Sequence, residues 1–271
     1  MTVTPAALVI FAAASYQPPV DKSSYTIASP TPRELMRDMS TDRPDATESP
    51  YTVDAGHVQV EMSLAQFSRE LDGGRVDTWE LAPINFKVGV LNSLDVQLLF
   101  TPYIQQETDL DPDASGIGDL TLRTKFNVIG NDSGPFAAAV MPFVKIPTGG
   151  DQVSNGRVEG GLIVPVAFEL PNKFSLGLML ELDAVRNDTD GYDAELVHTA
   201  TLSRELWGDL SGYVEYIGVT PLRSGRDYAA SFSSGLAYAV TSDIQLDVGG
   251  VVGLTPAAED LVLFAGISLR Y

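Results

Sequence analysis

The chain has 271 residues, 44% of them hydrophobic, enough for one large all-β domain or about two ordinary ones. Seventeen basic against 36 acidic residues give a net charge of -19, which repels a phosphate backbone and argues against nucleic acid as a partner. The absence of cysteine removes disulfides, thiolate metal ligands and a cysteine nucleophile together.

In chain order, Ala6 to Ala14 is a short apolar run ending in small residues, so residues 1–15 are expected to be a signal peptide, although the first basic residue is Lys22. The run is too short to span a membrane as a helix, which takes about 20 apolar residues. Residues 16–55 carry Pro18, Pro19, Pro30, Pro32, Pro44 and Pro50 among many Ser, Thr and Asp, and they predict an irregular N-terminal segment.

From Gly56 the pattern changes to strict alternation. In GDLTLRTKFNV, Leu120, Leu122, Phe126 and Val128 alternate with Asp119, Thr121, Arg123, Lys125 and Asn127, the period of a strand with one apolar and one polar face. The same period recurs and predicts twelve strands near 56–69, 77–90, 94–106, 118–128, 135–146, 160–170, 174–185, 194–204, 209–219, 228–240, 244–252 and 261–271. Turns after even-numbered strands are short (LNS, PNK, ELWG, TSD, IGNDSG), and those after odd ones are longer and hydrophilic. That parity over an even strand number predicts a transmembrane antiparallel up-and-down β-barrel over residues 56–271, with tight periplasmic turns and larger outer loops. About eleven residues per strand, tilted, cover the apolar band of about 25 Å.

The leucine parity must face lipid, because Arg123 or Lys125 on that face would cost about 2 to 4 kcal/mol near the midplane. Phe126, Phe136, Phe168, Phe174, Trp207, Tyr238 and Tyr271 fall beside short turns or the C-terminus, where an interfacial girdle belongs. The opposite parity gives the lumen candidates Glu61, Lys87, Asp95, Asp119, Arg123, Lys125, Lys145, Glu169, Glu181, Asp183, Glu215, Asp247 and Arg270. Both signs occur, so many should pair across strands, and these charges either brace the interior or select solutes. Just before the first strand, Asp42, Arg43, Asp45 and Glu48 bring both signs to the mouth of that lumen. Residues 42–50 are therefore expected in or across the periplasmic opening as a constriction, paired with Arg123, Lys125 or Lys145.

Catalytic and metal signatures are weak. The two histidines, His57 and His198, have no serine at a telling spacing, and there is no G-x-S-x-G or H-E-x-x-H. GIG at 116–118 is followed by no helix, so it reads as a strand start rather than a dinucleotide loop. Asp109, Asp111 and Asp113 alternate as in a calcium loop, yet Pro112 interrupts and Leu120 stands where a closing glutamate belongs. Asn187, Asp188, Asp190 and Asp193 read as a second solvated loop. No enzyme, cofactor or metal is expected.

The runs DRPDATESPYTVDAGHVQVE, GIGDLTLRTKF, PFVKIPTGG and PNKFSLGLML, in this order before a terminal barrel strand, resemble the outer-membrane transporter family associated with the meta-pathway of phenol degradation, over about residues 41–271. The resemblance implies a barrel in the outer membrane of a Gram-negative bacterium, passing small aromatic or hydrophobic solutes passively. The ending FAGISLRY also resembles the closing strand that the barrel assembly machinery reads. A structural or adhesive surface barrel and a soluble all-β binding protein are the other readings this sequence admits.

Overall fold

The computed structural model describes residues 20–109, 112–154, 156–187, 191–223 and 226–271; the expected signal peptide lies outside them. Its strands are β1 (Val58–Glu70), β2 (Val76–Leu81), β3 (Ile84–Leu91), β4 (Leu94–Phe100), β5 (Tyr103–Thr108), β6 (Ala114–Gly116), β7 (Leu120–Ile129), β8 (Phe136–Ile146), β9 (Glu159–Leu170), β10 (Phe174–Arg186), β11 (Tyr192–Trp207), β12 (Leu210–Pro221), β13 (Ala229–Thr241), β14 (Ile244–Gly253) and β15 (Leu261–Arg270). Neighbours pair antiparallel, and β15 returns to β1 with Gln59 opposite Arg270 and Arg69 opposite Leu261. The closed wall pairs backbone groups that lipid could not satisfy.

Three staves are each built from two strands. β1 pairs with β3 over Val58–Met62 and with β2 over Ala65–Glu70, so β2 and β3 are halves of one stave. β4 with β5, and β6 with β7, are split likewise, and the fifteen pieces make a twelve-stave barrel. The breaks correct the expectation of unbroken strands at 77–90, 94–106 and 118–128. They form one row across neighbouring staves, because Leu81 faces Tyr103 on the long-connection side of Pro83 and Pro102, while Ile84 faces Phe100 on the short-turn side. Pro83 and Pro102 have no N–H to give the ladder, and Ala82 takes a φ of 53°, so pairing stops there. The GIG stretch ends β6 at Gly116 and supplies the third break, rather than starting a strand.

The two faces separate as the alternation requires. Asp95 and Gln97 are both 0% exposed, whereas Val96 between them is 39% exposed on the outer wall with Leu122, Phe126 and Leu180. Short turns at Asn92–Ser93, Pro171–Lys173, Gly208–Asp209 and Ser242–Asp243 share one end of the barrel with the 130–135 connection. Longer connections occupy the other end. At the short-turn end Phe136 and Phe168 contact ring to ring at 5.0 Å, the Arg204 guanidinium lies 4.8 Å from the Phe174 ring centre, and Trp207 and Tyr271 are exposed.

Closure ends on Tyr271, whose N–H donates to the Val58 carbonyl at 2.8 Å and whose carbonyl accepts from the Val58 N–H at 3.1 Å. Deleting Tyr271 or replacing it with Asp should lower the amount of heat-modifiable barrel in the membrane fraction with synthesis unchanged; a normal amount contradicts this. Leu122→Arg should cost about 2 to 4 kcal/mol in a lipid-based folding titration. Thr121→Arg, whose side chain borders a luminal cavity, should be far milder, and equal effects would contradict the assigned faces.

Candidate functional site in the barrel lumen

Residues 20–57 contain no strand, only the 3₁₀ turn Arg33–Leu35. They enter at the short-turn end, where Thr26 bridges Leu91 and the Thr31 N–H donates to the Ala55 carbonyl at 2.9 Å. Prolines here cap off strand pairing, and the segment finds its hydrogen bonds in side chains instead.

Residues 38–53 form a finger folded back on itself. At its base the Arg37 guanidinium donates to the Thr52 carbonyl at 3.0 Å, and the Arg37 N–H donates to Asp54 Oδ2 at 3.0 Å. At its neck Ser40 Oγ meets Ser49 Oγ at 2.6 Å, and the Ser49 N–H donates to Asp42 Oδ1 at 2.9 Å. The tip, Asp42 to Glu48, lies inside the barrel, while residues 33–41 occupy the mouth.

Each side of the tip meets the opposite charge. Asp42 accepts from Lys87, which also pairs with Glu61, and from Lys125 Nζ at 2.7 Å. Glu48 pairs with Arg123. On the facing wall Arg43 donates from Nε and Nη2 to the two Asp247 oxygens at 3.2 and 2.6 Å and from Nη1 to Ser63 Oγ at 2.6 Å. The N–H groups of Ala46 and Thr47 grip the Glu215 carboxylate at 2.9 and 2.8 Å, and Thr47 Oγ1 adds a third bond at 2.7 Å. Lys87, Lys125, Glu61 and Glu215 are at most 2% exposed, so removing a single partner would leave a buried charge, at a cost of about 3 to 5 kcal/mol.

The remaining luminal candidates divide by depth. Asp95 accepts the Val53 N–H at 3.0 Å and helps fix the descending limb. Lys145 pairs across strands with Glu159 and reaches Asp119 at 3.9 Å, and it takes no part in holding the finger. Glu181 and Asp183 border a cavity of 200 Å³ beside Arg123, and Glu169 is exposed near the mouth. Arg270 spans the mouth, donating to Asp243 Oδ1 at 2.8 Å and to the Arg37 carbonyl at 2.7 Å. The expected cross-strand pairing is seen for Lys87 with Glu61 and for Lys145 with Glu159, whereas around Lys125, Arg123, Asp247 and Glu215 the finger supplies the partners.

Sequence reasoning missed the latch at the mouth. Lys22 reaches Asp132 at 2.8 Å and Asp54 at 3.4 Å, and Arg37 joins Asp132 and Asn92, both at 2.9 Å. Gly89 permits this close approach, since a Cβ there would lie 2.1 Å from the Asp54 carbonyl oxygen. His57 places its two ring nitrogens 2.7 Å from the Thr31 carbonyl and 3.0 Å from the Tyr271 carbonyl. His198 is on the outer wall beside Tyr216 and Tyr228. Asp111, Asp188 and Asp190 lie outside the described residues. Of their neighbours, Asp109 pairs with Arg75 at 3.2 Å, and Asp193 pairs with Arg223 at 2.7 Å. Among the described residues no three His, Asp or Glu side chains stand where they could hold a metal ion.

A closed wall with an apolar exterior and charged interior, occupied by the chain's own N-terminal segment, defines a membrane-spanning β-barrel of the outer-membrane type with an internal finger. Residues 41–271 match the family described as "Putative MetA-pathway of phenol degradation", and the chain belongs to it. Among solved structures it is similar to an outer membrane channel from Pseudomonas putida F1, with a TM-score of 0.63 at 14% identity over 86% of this chain and 100% of that one. It is also similar to the NanC porin, with a TM-score of 0.52 at 9% identity over 78% of this chain and 98% of that one. None of the curated proteins matches its sequence.

The latch titrates at the mouth. Burial alone would raise the Asp132 carboxyl, but hydrogen bonds from Lys22 and Asn92 and the charge of Arg37 hold it below the ordinary range. Burial of Asp243 is likewise outweighed by Arg270. A lowered acid contributes docking energy that is present above the ordinary aspartate value of about 4 and lost as pH falls through its own lower value. Because the chain has no cysteine, a fluorophore on Asp38→Cys reports this directly: its anisotropy should stay flat from pH 7 to 5 and fall below about 4. A flat profile down to pH 2.5 would contradict the latch.

Proposed function

We propose that the protein is a passive channel of the Gram-negative outer membrane for small aromatic or hydrophobic solutes, with residues 42–50 as its constriction. The observation that carries this reading is that the finger is held to the wall chiefly through side chains. The wall's own ladder closes from β1 to β15 without it, and a cavity of 410 Å³ remains above the tip. A structural barrel would gain nothing from a filling that leaves such a space beside ionised groups. The neighbour from Pseudomonas putida F1 is described as an outer membrane channel, and the family description points to phenol degradation, which supports the solute class. Residues 1–15 would direct export, and the strand ending in Tyr271 would be recognised by the barrel assembly machinery. No catalytic role is assigned: the His57 ring is engaged by two carbonyls and His198 faces outward.

Replacing residues 42–50 by two glycines should raise single-channel conductance in planar bilayers several-fold, with the barrel still heat-modifiable. Unchanged conductance would remove the constriction from the proposal. Absence of solute flux from both parent and variant in liposome swelling would favour a structural or adhesive barrel.

A further inference from the structure

The cavity above the finger is chemically lopsided. One side is apolar, formed by inward-facing Leu99, Ile217, Val251, Val262 and Phe264. The floor is the finger tip, and its hydrogen-bonding capacity is unequally used. Asp42 is taken by Lys87 and Lys125, and Glu61 by Lys87. Arg43, the cation bordering this cavity, spends Nε, Nη1 and Nη2 on Asp247 and Ser63. Two acceptors are left over. Asp45 has no cation within ion-pair distance among the described residues, and Glu48, paired through Oε1, has a buried Oε2 without a hydrogen-bond partner.

A space that offers apolar surface and free carboxylate oxygens, but no free cationic donor, is complementary to one kind of small molecule. An ammonium group would donate charge-assisted hydrogen bonds to Asp45, with the Glu48 carboxyl adding its charge from behind the cavity floor, and an apolar body would displace water from the valine and phenylalanine side. Burial, and then the charge of Glu215, push the Asp45 carboxyl up, and burial does the same to Glu48, so an ammonium is the group that stabilises their ionised forms; a carboxylate would meet like charge once they ionise, and a neutral alcohol supplies no such stabilisation. The volume lies within the range of small-molecule sites.

We infer that this cavity is a binding site for a small organic monocation, an aromatic or alkyl amine, with Asp45 as its principal anchor. The inference deepens the channel reading, on which it rests for the route by which the solute arrives.

Isothermal calorimetry on the folded barrel in detergent tests it with three probes of similar size and different charge: benzylammonium, benzyl alcohol and benzoate. Benzylammonium should bind at least tenfold more tightly than either of the others. Asp45→Asn should weaken it about tenfold or more, Ile217→Trp, which fills the apolar side, should abolish it, and Asp113→Asn in an outer loop should leave it unchanged. Equal affinity for the three probes, or full affinity in heat-modifiable Asp45→Asn or Ile217→Trp, would overturn the inference. Binding without flux in liposomes would overturn the channel reading alone, and flux without binding would overturn this inference alone.

Discussion

Everything in the interior depends on balancing charges that have been taken out of bulk water. The wall is bipolar across the lumen: Lys87, Arg123 and Lys125 project from β3 and β7, and Glu215 and Asp247 from β12 and β14. Of these only Lys87 has an ion-pair partner on the wall, Glu61, among the described residues; without the finger the others would carry the desolvation cost of an unpaired ion. The finger is the complementary bipole. Asp42 and Glu48 face the lysine and arginine side, while Arg43 and two backbone N–H groups face the carboxylates. One short loop thus satisfies both walls, and this explains why so polar a stretch adopts a single buried conformation without regular backbone structure.

Such pairing works only if the loop is delivered at the right height, and the chain does this by a short tether. Gly56 donates to the Gly89 carbonyl at 2.8 Å just before β1 begins, and Val53 is tied to Asp95 four positions from the end of the finger's neck. The other limb is fixed by Arg37, which binds both limbs and the 92 and 132 turns at once. Because the latch uses turns between staves rather than stave backbones, it can hold the finger without interrupting the ladder. Above the tip the wall itself changes character: the row of breaks at Pro83, Pro102 and Gly118 begins where the finger's support ends. The cavity lies beside this row of breaks, lined by Pro83, Ile84, Phe100 and Thr101 as well as by the finger tip.

The wall was readable in the sequence because alternation is local: a residue's face follows from its neighbours' polarity, as at Asp95, Val96 and Gln97. The stave breaks carried a visible signal too, in Pro83 and Pro102 within otherwise regular runs, and it was overridden by the strength of the surrounding alternation. The apolar side of the cavity was not readable locally. In GGVV and LVLF both parities are apolar, so the local pattern is silent there, and the inward face of Val251, Val262 and Phe264 follows only by carrying the parity of Asp247 and Arg270 along their strands. The finger was recognisable as a stretch unfit for a strand, and two of its three expected partners, Arg123 and Lys125, are those observed. Lys145 was indistinguishable from them by composition, and only the barrel's geometry puts Glu159 beside it. Lys22, Arg37 and Asp132 went unnoticed because their connection spans up to 110 positions and leaves no periodic trace.

The net charge of -19 acquires a meaning from this arrangement. Eight of the 17 basic side chains, Lys22, Arg37, Arg43, Lys87, Arg123, Lys125, Lys145 and Arg270, are engaged with acids in the lumen or at its mouth, so their fields are largely cancelled where they stand. The excess of acid is expressed elsewhere, in outer connections that carry Asp72, Asp109, Asp113, Asp151, Asp227, Glu259 and Asp260. A negative rim raises the local concentration of cations over that of anions within about a Debye length, about 8 to 10 Å at physiological salt. The finger floor continues the same bias into the lumen, since the acceptors it leaves free are carboxylate oxygens. Rim and floor therefore favour the same sign of solute, the first by attraction over distance and the second by direct hydrogen bonding, and neither needs the cationic side chains between them to move.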